Sequence, residues 1–280
     1  MEQARGFFKK IINIIKKPEM GILPGQLAFF LVMSLIPIAA LLGALASTLS
    51  IPVETLENVM TGVFPDGAIT FIIDIINNKG PNFNIIVFFV SAFILASNGA
   101  HSMIITSNEI YKIAASSAIN RRVKAIMMTF VLAGLFFILF LIPICGDYIF
   151  ELIKNNVQDN KVLNFAYLIY QLVKYPLLII LLYFNIKLLY VMAPDEHIFS
   201  MTTTKGAIFT TIGWIIATEI FTFYIGTFTS YDIFYGSISN ILILLLWIYI
   251  LAYIFVLGMI INAGTYKELT EEMKVVENKE

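Results

Sequence analysis

The sequence predicts an all-α, polytopic membrane protein with six transmembrane helices and both termini cytoplasmic. An N-terminal amphipathic interfacial helix and short amphipathic helices after the first span complete the prediction. Three observations carry it. Residues 233–266 run without one charged side chain, longer than the about 20 apolar residues a helix needs to cross the hydrocarbon core. The chain is 59% hydrophobic and 13% charged, against roughly 25% charged in a soluble domain, and its mean hydropathy is +0.86. With spans at about 27–50, 84–111, 123–148, 162–190, 206–226 and 233–263, fourteen of the eighteen Lys and Arg residues fall on one side and only Lys79, Lys154 and Lys161 on the other. That asymmetry is the positive-inside pattern, and its agreement at every loop supports the span count.

The whole chain, 1–280, reads as one membrane domain, with 1–25 as a cytoplasmic interfacial segment and 264–280 as a solvated cytoplasmic tail. In residues 3–17, Phe7, Phe8, Ile11, Ile12 and Ile15 share one helical face while Lys9, Lys10, Lys16 and Lys17 lie opposite. Such a helix sinks its apolar face to the headgroup boundary, and Pro18 stops it. The first span carries Pro37 near its middle, and its small residues allow close helix approach. Residues 51–83 hold two amphipathic pieces too short to cross, built on Leu56, Val59, Met60 and Val63 and then Phe71, Ile72, Ile75 and Ile76. They are expected at the outer interface.

The second span is the most polar, with Ser97, Asn98, His101, Ser102, Thr106, Asn108 and Glu109, and with Ala92, Ala96 and Ala100 as a small face. Polar groups in lipid need partners, so they should face other helices or water. Pro143 lies in the third span, Lys174 and Pro176 in the fourth, and Glu219 in the fifth. Pro37, Pro143 and Pro176 are the candidate helix kinks. Tyr167, Tyr170, Tyr175 and Tyr183 of the fourth span are read as aromatic core packing. The single Cys145 excludes an intramolecular disulfide.

Ala28-Phe29-Phe30 with Ser34-Leu35-Ile36-Pro37, Gly206-Ala207 followed by Trp214, Phe221 and Tyr224, and Tyr235-Gly236-Ser237 with Leu244 to Tyr249 and Gly258 to Asn262 stand in order along nearly the whole chain. In these the sequence resembles the YihY/virulence factor BrkB family of six-helix bacterial inner-membrane proteins. The resemblance implies a multi-pass protein of the bacterial cell membrane with no cofactor. It departs at one point: the family often has Gly-Ala-Glu near the end of the last span, where Met259 and Ile260 here follow Gly258. A mechanism needing that carboxylate does not transfer.

The family once bore a ribonuclease label. Metal-dependent phosphodiester hydrolysis needs clustered carboxylates or histidines, whereas His101 and His197 are the only histidines and stand on separate segments. A basic, aromatic-laced nucleic-acid footprint is also missing, so neither enzyme activity nor a nucleic-acid partner is expected. No Walker motif supplies a nucleotide cradle.

The leading expectation is a transporter or permeation pathway for an unidentified solute or amphiphile. Lys174, Glu219, His101, Ser97, Asn108 and Glu109 are the candidate polar residues, because ionisable groups in spans mark pathways. Lys174 and Glu219 sit at depths that allow an ion pair, functional or purely structural. His101 is a relay or a packing residue bonded to Ser97 or Ser102, and Asn108 and Glu109 are read as meeting Arg121 and Arg122. The alternative is a non-enzymatic envelope-integrity or lipid-handling factor acting through partner proteins. The bilayer is the sure partner, and small-residue faces fit internal packing or a homo-oligomer.

Overall fold

The computed structural model describes residues 20–34, 52–61, 65–77, 85–135, 146, 160–228 and 239–277. Its elements are helices: α1 (Met20–Ser34), α2 (Val53–Met60), α3 (Asp66–Asn77), α4 (Ile85–Tyr111), α5 (118–135), α6 (Asn160–Met192), α7 (Thr204–Phe228) and α8 (Ser239–Glu277). Among the described residues three helical stretches are long and apolar enough to cross a membrane: Tyr167–Met192, Thr204–Ile225 and Ser239–Glu271. Helices α4 and α5 fall where the second and third spans are expected. The interfacial helix read at 3–17, Pro37 and Pro143 lie outside the described residues.

The chain is organised around α8, which packs against α3, α4 and α7, while α6 packs on α7. Leu244, Ala252, Phe255, Val256 and Met259 of α8 are fully buried. Helices α7 and α8 approach so closely that a Cβ on Gly206 would overlap the Gly258 carbonyl and the Asn262 side chain. A Cβ on Gly258 would overlap the hydroxyls of Thr210 and Tyr190. Small residues let two helix backbones approach closely, and polar side chains then bond across the seam. Tyr190 of α6 donates to Phe255 O at 2.8 Å, shares a 2.6 Å hydrogen bond with Thr210, and stacks on Phe255 at 4.6 Å. The Asn262 carboxamide oxygen accepts from Gly206 N at 2.7 Å, and Trp214 Nε1 donates to Leu251 O at 2.9 Å.

The amphipathic pieces at 51–83 form as expected, but they are seated on the bundle. Leu56 is buried in α2, and Met60 packs with Ile69 and Ile72 of α3. Gly67 lets α3 sit against Ile243 of α8.

The element ends differ from the sequence reading. Helix α1 is already helical at Met20, ahead of the span start expected at 27, and Met20, Leu23 and Leu27 form one buried face along it. Helix α8 continues to Glu277, so the segment read as a tail from 264 is helical as far as that residue, with Lys267 and Glu271 exposed on it. Thr265 and Thr270 bond back to Ile261 O and Tyr266 O, and Lys267 pairs with Glu271 one turn on. Helix-favouring charged residues sustain a helix that already exists, even past the membrane-length run. Pro176 lies inside α6, which runs on past it to Met192. Tyr167 and Tyr175 are exposed, so the aromatic-core reading of the fourth span fails for them.

Candidate functional site

The second half of α4 is buried on nearly every side. Ala96 and Ala100 supply the small face that the sequence indicates, and Gly99 admits Ser34 of α1 so closely that a Cβ would lie 2.9 Å from its hydroxyl. Ser97, Ser102, Thr106, Ser107 and Asn108 are all buried there, His101 is half-buried, and Glu109 is exposed. A helical hydroxyl normally meets its needs by donating to the carbonyl three or four residues back. Ser97 does so to Ile94 O at 2.6 Å, Thr129 to Ala125 O and Thr211 to Ala207 O at 2.8 Å. Ser102, Thr106 and Ser107 do not: their hydroxyls are buried without a hydrogen-bond partner among the described residues. Ser102 and Thr106 stand one turn apart and share a face.

At the end of α4, Lys112 adopts φ 57° and Ile113 N bonds back to Asn108 O at 2.9 Å. This left-handed closure turns the chain toward α5. The Asn108 side chain then clasps the α6–α7 connection: its Nδ2 donates to Asp195 Oδ2 at 2.8 Å while its Oδ1 accepts from Asp195 N at 2.9 Å. Ser116 N also donates to Asp195 Oδ2, at 3.0 Å. Lys124 of α5 closes the lock, donating to Ala193 O at 3.1 Å, to Pro194 O, and to Asp195 Oδ1 at 3.3 Å. The carboxylate is 5% exposed and the lysine 30%.

Burial pushes the Asp195 carboxyl upward, but the hydrogen bonds from Ser116, Asn108 and Lys124 together outweigh it and hold the group below its ordinary 3.8. A depressed carboxyl contributes stability that is fully present above its unfolded value and is lost as pH falls through the folded one. The thermal midpoint of the wild type should therefore be level near neutrality and fall once pH drops below about 4, whereas Asp195→Asn should lose this component of the decline.

The sequence reading paired Asn108 and Glu109 with Arg121 and Arg122, and the structure corrects this. Asn108 meets Asp195, Glu109 meets Lys112 at 2.9 Å, and Arg122 donates to Asn98 Oδ1 at 2.8 Å and Ile94 O at 3.0 Å. No hydrogen bond among the described residues joins His101 to Ser97 or Ser102; its charged neighbours are Arg122, Arg121 and Asp195. Nor does an ion pair join Lys174 to Glu219 among the described residues. Lys174 Nζ lies over the Tyr170 ring, 5.1 Å from its centroid, and Glu219 is exposed on α7. Equal depth brings two side chains together only when both also face the shared seam. Asp195 and Lys124 were the residues that sequence reasoning passed over; the signal was Asn108, an amide near a span end that needs a partner.

Long apolar helices packed on one another, with a buried polar helix seated against α8, define an integral, multi-helix membrane protein. The family model for Virulence factor BrkB matches residues 16–279, and the chain belongs to that family. It is 27% identical over 267 residues to the ribonuclease-like protein YfkH of Bacillus subtilis strain 168, covering 93% of this chain and 95% of that one. It is also 30% identical over 160 residues to a UPF0761 membrane protein of Actinobacillus pleuropneumoniae serotype 5b, covering 54% of this chain and 55% of the relative. A UPF0761 membrane protein of Haemophilus influenzae strain Rd is 30% identical over 92 residues, 33% of this chain and 34% of the other. No solved structure matches the chain.

Proposed function

We propose that this protein is a non-enzymatic, six-span protein of the bacterial inner membrane, with both termini cytoplasmic, that passes a small polar solute or the polar part of an amphiphile along α4. One observation carries the reading: Ser102 and Thr106 hold buried hydroxyls that bond neither to their own helix nor to a neighbour among the described residues. Each such group costs about 1–3 kcal/mol unless something meets it. Water or a passing solute on that face offsets the cost. Asn108, Asp195 and Lys124 then fix the end of α4 so that the face keeps its position, and His101 stands half-open beside it. The ribonuclease-like name of YfkH does not supply a better reading. Among the described residues no three of His, Cys, Asp or Glu come together as a metal-holding group, and that chemistry depends on such a cluster.

Purified protein in liposomes tests the reading by stopped-flow uptake of glycerol and urea and by potassium and proton flux. At least one probe should move faster than through protein-free liposomes. Thr106→Val, which keeps shape and removes the hydroxyl, should slow it about tenfold, the rate equivalent of roughly 1.4 kcal/mol. No flux of any probe through folded protein overturns the proposal.

A further inference from the structure

The seam between α4 and α8 holds another set of buried polar atoms, on a different face of α4 from Ser102 and Thr106. Tyr111 closes α4 and meets Tyr266 of α8 edge to face, with ring centroids 5.9 Å apart. Ser107 stands one turn before Tyr111, and Asn262 one turn before Tyr266. The buried residues that precede these pairs, Met103 and Ile104 on α4 and Phe255 and Met259 on α8, belong to one core. The two helices therefore run side by side in the same direction, and Ser107 and Asn262 stand at one level of the seam. Both residues are 0% exposed. The Ser107 hydroxyl, the Tyr111 hydroxyl and Asn262 Nδ2 are each buried without a hydrogen-bond partner among the described residues.

The chemistry of this set is one-sided. Asn262 Oδ1 accepts from Gly206 N at 2.7 Å, which fixes the amide so that its free end presents N–H donors and no acceptor. Gly206 lies in the first turn of α7, so the amide is seated at the positive end of a 25-residue helix dipole. Both hydroxyls can donate as well. No acidic residue occurs from Ile85 to Asn108, from His197 to Thr218 or from Ile233 to Lys267. Of the carboxylates nearby in the chain, Glu109 is exposed and meets Lys112, and Asp195 is answered by Lys124. Buried donors gathered at a helix N-terminus complement negative charge. Because the donors are neutral, they suit a single small charge rather than a phosphate, which draws charged donors such as arginine.

We propose that Ser107, Tyr111 and Asn262 bind one small monovalent anion, chloride or another halide, at the N-terminus of α7. The two hydroxyls and Asn262 Nδ2 donate to it, while Gly206 N keeps its bond to Asn262 Oδ1. The anion ties the end of α4 to the α7–α8 seam. The site holds whether or not Ser102 and Thr106 line a passage.

The test is the thermal midpoint of the purified full chain in detergent, titrated with sodium chloride against sodium gluconate at constant ionic strength. A ligand held only by the folded state raises the midpoint once its concentration passes Kd. The wild type should show a saturable rise, with half-saturation at millimolar chloride. Tyr111→Phe keeps the ring against Tyr266 and removes one donor, so it should weaken chloride about tenfold, as the loss of one hydrogen bond to a charged group does. Asn262→Asp keeps the acceptor for Gly206 N and sets a fixed negative charge at the helix N-terminus, so it should fold and lose the chloride response altogether. A wild-type midpoint that is equal in chloride and gluconate overturns the proposal and leaves the three groups to water. An undiminished response in Tyr111→Phe, or a wild-type response in Asn262→Asp, reduces the effect to bulk salt and overturns it as well. Should Asn262→Asp not fold, Tyr111→Phe decides alone.

Discussion

Gly258→Ala is expected to remove folded protein from the membrane, and Gly206→Ala to do the same. The two glycines face each other across the α7–α8 seam, and a methyl group on Gly206 lands on the main-chain carbonyl of Gly258. Backbone cannot swing aside as a side-chain tip can. A methyl on Gly258 lands between the hydroxyls of Thr210 and Tyr190, which are already bonded to each other, and Tyr190 is also fixed to Phe255 O. To admit the methyl, α7 and α8 must separate, and the Gly206 N bond to Asn262 lengthens with them. Overpacking of this kind costs about 1–3 kcal/mol and more when the obstacle is backbone. A loss of about 3 kcal/mol or more is expected at either position. Gly134→Ala is the control. Its site is open, so it should be neutral or gain about 0.5–1 kcal/mol from better helix propensity. Thermal unfolding in detergent and the amount of protein in membranes measure all three. A wild-type midpoint in Gly258→Ala would mean that the helices do not meet there.

Asp195→Ala is expected to be the second most damaging change. It leaves Lys124 with no charge partner and strips the acceptor from Ser116 N and Asn108 Nδ2. Removing one member of a buried pair costs about 3–5 kcal/mol. The partly open lysine can recover some hydration, so the low end, about 3 kcal/mol, applies. Asn108→Ala should cost less, since it removes two hydrogen bonds and no charge. The double variant tests the lock as a unit: with the Asp195 carboxylate already gone, the further loss from Asn108→Ala should shrink to that of the one bond left, from the main-chain N of residue 195 to Asn108 Oδ1. Additive losses would show that the two residues act separately.

The helices were legible because hydropathy over a span-length window reports what one segment buries. The uncharged run before Lys267 therefore announced α8, and the spacing of Leu56, Met60 and Ile72 announced the short helices. Element ends were not legible, since they depend on neighbours: α1 is helical ahead of residue 27, where Met20 and Leu23 find a core to enter. Depth alone suggested Lys174 and Glu219 as a pair, but facing depends on how α6 and α7 are rotated, which one segment does not reveal. The polarity of α4 was visible, whereas the partner of Asn108 lay 87 residues away. No local pattern marks a contact of that range.

The proposed passage requires that water or solute reach the Ser102–Thr106 face of α4 from inside the folded bundle. Cysteine accessibility tests this directly. In a Cys145→Ser background, Thr106→Cys and Ala100→Cys are treated with a small, charged methanethiosulfonate in intact proteoliposomes. Both positions are buried on the same helix, but only Thr106 carries an unpartnered hydroxyl. Thr106→Cys is predicted to react markedly faster than Ala100→Cys. Equal, negligible reaction at both sites in folded protein would mean that the Thr106 face is dry, and would contradict a passage along α4.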